Sequence, residues 1–83
     1  MMTHDEICDS IIAFIKENLL AEGVPLAKDD SLTALGLDSF SLIEILLFVE
    51  RKLKTIVPIE ELDREKTETV SAISTEVVRC MNK

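Results

Sequence analysis

The residue in this chain best suited to chemistry is Ser39, whose hydroxyl follows an acid and precedes an apolar segment. The surrounding stretch reads Leu35-Gly36-Leu37-Asp38-Ser39-Phe40-Ser41-Leu42-Ile43-Glu44. The glycine predicts a turn, and the apolar residues after Ser39 predict a helix that begins there. A helix N-terminus presents unpaired N–H groups and a partial positive charge, which favour an attached anion. Ser39 is therefore well placed to carry a phosphate.

The same residues also suit a purely structural role. Asp and Ser are preferred N-cap residues. In addition, Ser41-Leu42-Ile43-Glu44 fits the capping-box pattern, in which Glu follows Ser by three residues. The short motif leaves both interpretations open, a helix cap and an attachment site. The size, charge and helix order of the whole chain help to decide between these two interpretations.

Other reactive or metal-binding arrangements do not fit the sequence. His4 is the only histidine, so Ser39 has no histidine base for a hydrolase triad, and we expect the segment around His4 to fray. Asp29, Asp30 and Asp38 lack the spacing and closing Glu of a calcium-binding loop. Two cysteines and one histidine do not make a zinc site. We predict no catalytic residue, no metal ligand and no enzymatic activity.

Composition limits the classes of partner. The 83 residues make one small domain, 1–83, near the lower end of what a single core stabilises alone. Nine Lys and Arg against sixteen Asp and Glu give a net charge of -7, and three Phe are the only aromatic residues. Such a surface repels nucleic-acid phosphates and attracts basic protein surfaces. We therefore expect a monomer whose partners are basic protein surfaces rather than nucleic acid.

The sequence also favours a cytoplasmic protein. No apolar run approaches the ~20 residues of a membrane span. The start, Met1-Met2-Thr3-His4-Asp5, lacks the basic region of a secretory signal. Without such a signal, Cys8 and Cys80 are interpreted as reduced thiols.

Helical spacing of apolar residues predicts three longer helices and one short one. The first runs from Thr3 to about Leu20, and a long loop from Val24 to Leu37 follows. The second runs from Ser39 to Leu53 or Lys54. A short third helical turn covers Ile59–Leu62, and the last helix carries its apolar side on Val70, Ile73, Val77 and Met81. This order predicts an all-α fold, a small four-helix bundle with a long first loop.

The chain resembles the acyl carrier proteins over nearly its whole length. Their attachment motif is an apolar residue, Gly, an apolar residue, Asp-Ser and an apolar residue, and residues 35–40 fill these places in order. Asp30 and Leu32 in the loop, Pro58 after the second helix and Thr69-Val70 before the last helix match further family positions.

The resemblance implies a cofactor and the enzyme that attaches it. In the family, a phosphopantetheinyl transferase adds 4'-phosphopantetheine to the serine that corresponds to Ser39. Asp38 then corresponds to the acid that helps to place the metal of the transferase and the incoming phosphate. The terminal thiol of the arm holds acyl groups as thioesters for enzymes of fatty-acid, polyketide or related biosynthesis.

The second helix has two apolar faces when its residues are placed 100° apart. One face should lie in the core: Leu42, Ile45, Leu46, Val49 and Leu53. The opposite face consists of Phe40, Ile43 and Leu47, and it should remain exposed as a contact surface. Alternatively, this second face packs under the long loop or the short third helix. A seam between the second and third helices is a further candidate, as an entry for an acyl chain.

The resemblance assigns this helix to partner docking. The residues it implicates are Asp38, Phe40, Ile43, Glu44, Leu47 and Glu50. The sequence departs from common fatty-acid carriers at Phe40, where Leu is usual, at Ser41, where an acid is frequent, and at the basic pair Arg51-Lys52. These departures favour a dedicated pathway over housekeeping synthesis. The alternative function is an unmodified helical interaction module that binds a partner through Phe40, Ile43 and Leu47.

Overall fold

The computed structural model describes residues 2–82, which form a bundle of helices with no strand in that range. The helices are α1 (His4–Asn18), α2 (Ser39–Leu53), α3 (Arg64–Thr67) and α4 (Val70–Met81), with a 3₁₀ turn at Ile59–Glu61. The prediction of an all-α fold with a long first loop is confirmed. None of the helices in the described part of the chain is long and apolar enough to cross a membrane.

Each helix begins beside a side chain that accepts a hydrogen bond from its first turn. Thr3 forms a capping box with Glu6: Thr3 Oγ1 accepts from Glu6 N at 3.2 Å, and Thr3 N donates to Glu6 Oε1 at 2.8 Å. Asp38, Asp63 and Thr69 cap α2, α3 and α4 in the same way. Short polar side chains therefore fix where all four helices start.

The core lies where α1 packs against α4 and α2. The apolar faces predicted for the second and last helices supply much of it, so those predictions are confirmed. The ring of Phe48 stacks on that of Phe14, with centroids 4.5 Å apart. The buried helical residues are Ile7, Cys8, Ile11, Ile15, Ile45, Leu46, Val49, Val70, Ile73 and Val77.

Two details at the ends of α1 differ from the sequence analysis. The helix ends at Asn18, about two residues early, whereas α2 ends at Leu53 as predicted. The expectation that His4 lies in a fraying segment is wrong. The His4 ring is bound to α4: its Nε2 lies 3.0 Å from the carbonyl oxygen of Ser71 and 3.2 Å from Thr75 Oγ1.

The region between α2 and α4 contains more helix than predicted. The expected turn at Ile59–Leu62 is present as the 3₁₀ turn Ile59–Glu61. The sequence analysis did not place α3, whose four residues are all polar or charged and so show no apolar period. Asp63 stabilises it, because its side chain accepts a hydrogen bond from Lys66 N at 3.1 Å.

The long first loop is bound to the start of α4 at two points. Leu32 N donates to the carbonyl oxygen of Glu68 at 2.8 Å, and Ser71 N donates to that of Lys28 at 2.9 Å. Leu32 is also buried in the core. The loop that leads to α2 is therefore part of the packed bundle.

Candidate functional site

Ser39 is the first residue of α2, and its side chain is exposed. Asp38 caps the helix: Asp38 Oδ1 accepts from Ser41 N at 3.0 Å and from Ser41 Oγ at 3.3 Å. The capping box that begins at Ser41 is therefore not formed, because Ser41 already lies inside the helix. Among the described residues, no hydrogen bond engages the hydroxyl of Ser39. Asp38 is therefore the cap of the helix, and the hydroxyl of Ser39 remains available for another role.

The charge of Asp38 is stabilised by this cap. The hydrogen bond from the backbone N–H of Ser41 lowers the pKa of Asp38 below its ordinary value. The carboxylate is ionised at neutral pH, so a negative charge lies beside Ser39. A fixed negative charge next to an exposed hydroxyl can orient a metal-bound reactant in an approaching enzyme.

A turn centred on Gly36 delivers the chain to this helix start. Gly36 has a φ of +88°, a conformation that side chains with a Cβ rarely adopt. Its N–H donates to the carbonyl oxygen of Thr33 at 3.0 Å, and Leu37 N donates to that of Leu32 at 3.0 Å. The glycine of the motif is thus required by the backbone of the turn.

An open groove of about 470 Å³ adjoins Ser39, between the end of the first loop, the start of α2, and α3. We call it the loop groove. Its wall combines apolar side chains with a few polar ones at the rim, and one of these is Arg64 of α3. The seam predicted between the second helix and the short third helical turn at Ile59–Leu62 is not this groove, because no residue of that turn lines it. Its lining residues are Leu32, Thr33, Gly36, Leu37, Asp38, Ser39, Leu42, Ile45, Arg64 and Thr67.

The second apolar face of α2, which we call the outer face, is exposed. The exposed fractions are 73% for Phe40 and 45% for both Ile43 and Leu47. The alternative in which this face packs under the loop or the third helix is therefore wrong. Glu50 is exposed and Glu44 is partly exposed on the same helix. Of the six residues that the resemblance implicates in docking, five lie on α2, and Asp38 is its N-cap.

Two further exposed apolar residues, which were not predicted from the sequence, extend the outer face. Ile56 is 69% exposed and Ile59 is 38% exposed. Both line a shallow groove of about 160 Å³ together with Ile43 and Leu47. The signal was present in the sequence, because Thr55-Ile56-Val57 reads as extended chain, in which alternate side chains point to opposite sides. Thr55 and Val57 are in fact buried on either side of Ile56.

The remaining candidate groups do not form a second site. Cys8 is buried, Cys80 is half-buried, and both are free thiols. Within residues 2–82, no cluster of three His, Cys, Asp or Glu side chains could hold a metal ion.

Comparisons with known proteins agree with this arrangement. A family described as "Phosphopantetheine attachment site" matches residues 9–77. A chain from the crystal structure of Bradyrhizobium japonicum glycine:[carrier protein] ligase complexed with glycylated carrier protein has a similar fold. The TM-score is 0.67 and the identity 22%, over 89% of this chain and 97% of that one. No curated protein sequence matches significantly.

The family match covers most of the chain and includes the turn, the start of α2 and the loop groove. Members of the family are carriers of covalently attached 4'-phosphopantetheine and are not catalysts. The chain belongs to the phosphopantetheine-attachment family and is a carrier protein of the acyl carrier type.

Proposed function

We propose that 4'-phosphopantetheine is attached to the hydroxyl of Ser39 and that the chain presents thioester-linked acyl groups to partner enzymes. The observation that carries this proposal is the exposed, unengaged hydroxyl of Ser39 at the first position of α2. The helix N-terminus favours the phosphate that attachment would bring. Among residues 2–82, no other serine combines exposure, a position at a helix start and the family motif.

The residues around Ser39 fit such an arm. Asp38 stays ionised and faces the approach of a phosphopantetheinyl transferase, where it would help to hold the enzyme's metal and the incoming phosphate. In the loop groove, the apolar side chains of Leu37 and Leu42 would contact the bound group. When attached, the arm supplies a terminal thiol that holds acyl groups as thioesters. The protein itself supplies tethering, which keeps a reactive group at high effective concentration for successive enzymes.

The outer face of α2 is the proposed docking surface. Ile43 and Leu47 offer apolar contact area, Phe40 adds an aromatic ring beside Ser39, and Glu44 and Glu50 add negative charge. Exposed apolar side chains ringed by charge are typical of protein contact sites. The partners we propose are the transferase and the enzymes that load and remove acyl groups, each with a basic docking surface.

The shallow groove beside Ile56 and Ile59 enlarges this docking surface. An apolar side chain of the partner would fit between these residues and Leu47. Arg51 and Lys52 at the end of α2 make that end basic, so a partner built for a uniformly acidic helix would fit poorly. This mixed charge supports a dedicated fatty-acid, polyketide or related pathway over housekeeping synthesis.

The proposal includes three further points. Residues 1–83 act as one acyl-carrier-like domain, the protein is a monomer, and it works in the cytoplasm. Both cysteines are free thiols, which is usual for a reducing compartment. The alternative of an unmodified interaction module is disfavoured, because the matched family carries the cofactor.

Intact mass measurement tests the attachment site. The unmodified protein is incubated with coenzyme A and a broad-specificity transferase. We expect the wild type to gain one phosphopantetheine and Ser39→Ala to gain none. Ser41→Ala is the matched control: it lies two residues along α2, bonds to Asp38, and should be modified normally. An unmodified wild type, or addition that survives Ser39→Ala, contradicts the proposal.

A further inference from the structure

The carboxylate of Glu68 joins three segments beside the loop groove, which is lined by two of its partners, Thr33 and Arg64. Glu68 lies in the link between α3 and α4. Its Oε2 accepts a hydrogen bond from the hydroxyl of Ser31. Its Oε1 accepts from Thr33 Oγ1 at 3.2 Å and lies 3.6 Å from Arg64 Nε. With the backbone bond from Leu32 N, this residue is bound to the loop through both its side chain and its main chain.

The loop residues that contact Glu68 lie only a few residues before the start of α2. Ser31 Oγ accepts a hydrogen bond from Ala34 N at 3.1 Å, so Glu68 contacts the same hydroxyl that shapes the turn. Leu37 N then donates to the carbonyl oxygen of Leu32 at 3.0 Å, and Asp38 follows. Because of these bonds, a shift of residues 31–33 would also shift the first residues of α2.

The side chain of Glu68 is ionised at neutral pH. The hydrogen bond from Ser31 is the main cause that lowers the pKa of Glu68, with smaller contributions from Thr33 and the charge of Arg64. Hydrogen bonds to a charged acceptor are stronger than those between neutral groups. A single side chain therefore holds the loop against α3 with three charge-assisted contacts.

We propose that Glu68 is the positioning residue for Ser39: by holding residues 31–33 against α3, it fixes the turn that presents the Ser39 hydroxyl for modification. This inference rests on the proposed attachment at Ser39. Glu68 itself touches neither the hydroxyl nor the outer face of α2. Its loss should therefore slow the modification step while leaving partner docking intact.

The test compares Glu68→Ala with the wild type in the full chain by two measurements. Amide hydrogen exchange of the unmodified protein should accelerate about tenfold at Ala34 and Leu37, which corresponds to about 1.4 kcal/mol. Exchange in α1 and α4 should change much less. Steady-state modification by a transferase with coenzyme A should show kcat reduced about tenfold, the scale of one lost hydrogen bond to a charged group, with KM unchanged.

Three further variants separate positioning from general loss of structure. Glu65→Ala removes an exposed acid from α3 and should match the wild type. Thr33→Val removes one hydroxyl donor while Glu68 and the bond from Ala34 N to Ser31 Oγ stay intact, and it should reproduce part of the effect of Glu68→Ala. Glu68→Gln keeps an acceptor oxygen and should recover part of kcat.

The outcomes distinguish this inference from the proposed function. If Glu68→Ala behaves like Glu65→Ala in both measurements, or raises KM at unchanged kcat, the positioning role is wrong while attachment at Ser39 stands. If the wild type is not modified at Ser39, the proposed function fails and this inference fails with it.

Discussion

Two neighbouring leucines of α2 lie in opposite environments, because consecutive helical residues are 100° apart. Leu46 is buried, with an exposed fraction of 8%, whereas nearly half of the Leu47 side chain is exposed. One residue therefore belongs to the core, and its neighbour belongs to the outer face. Stability and partner contact are separable at the level of single residues.

Substitution of these leucines should give unequal losses of stability. Leu46→Ala leaves a cavity and should lower the free energy of unfolding by about 2–5 kcal/mol. That is a large share of the roughly 5–15 kcal/mol that a small domain possesses. Leu47→Ala should cost much less, yet it should impair acyl transfer to partner enzymes. Thermal and urea unfolding of both variants measure the difference, and equal destabilisation would contradict the two-face description of α2.

At the scale of elements, α2 carries acidic residues along its outer face and basic residues in its last turn. Glu44 and Glu50 lie among the apolar residues of the outer face, and Arg51 and Lys52 follow in the last turn. Opposite charges at an interface mainly raise the association rate and specificity. The acidic section should therefore meet the basic surface of a partner.

Charge reversal on the outer face tests this docking. Glu44→Lys should weaken the complex with the cognate enzyme, and added salt should weaken the wild-type complex, because exposed charges are screened. The fold should persist, since the Glu44 side chain is partly exposed. Glu17→Lys makes the same charge change on an exposed position of α1 and serves as control. Turnover that is independent of salt and of Glu44→Lys would count against docking through this face.

The elements differ in how far the sequence could predict them. The course of α2 was predictable because its apolar residues recur at helical spacing and Asp38 marks its start. The helix α3 was not predictable, because Arg64–Thr67 has no apolar face. It depends instead on the Asp63 cap and on packing against α4. Ser39 was found from a local motif. The loop groove could not be found that way, because Leu32 and Arg64 are distant in sequence and meet only through tertiary contacts.

At the scale of the whole molecule, three carboxylates couple folding to pH. Hydrogen bonds from the Thr3 backbone to Glu6, from the Ser41 backbone to Asp38 and from the Ser31 hydroxyl to Glu68 lower the pKa of each acid. A lowered pKa in the folded state means that the unfolded chain binds more protons at acidic pH. The stability from these groups is therefore complete above their unfolded pKa values of roughly 4, and is lost as the pH falls through the folded ones.

We expect the urea midpoint to decrease progressively as the pH is lowered below about 4, the ordinary pKa of a carboxyl group in the unfolded chain. Glu68→Gln should flatten this dependence, because it removes one of the three linked groups. Glu65→Gln, which removes a carboxylate from an exposed position of α3, should leave the slope closer to that of the wild type. An identical slope in the wild type and Glu68→Gln would contradict the linkage.

The contact between His4 and α4 also determines the tautomer of the imidazole. The carbonyl oxygen of Ser71 can only accept, so Nε2 carries the hydrogen of the neutral ring and Nδ1 keeps its lone pair. Nδ1 lies 3.7 Å from Cys8 Sγ, which is also 3.2 Å from Ser74 Oγ. The thiol hydrogen of Cys8 can therefore point either to His4 Nδ1 or to Ser74 Oγ. A continuous chain of contacts thus runs across the seam between α1 and α4, from the Ser71 carbonyl through His4 and Cys8 to Ser74.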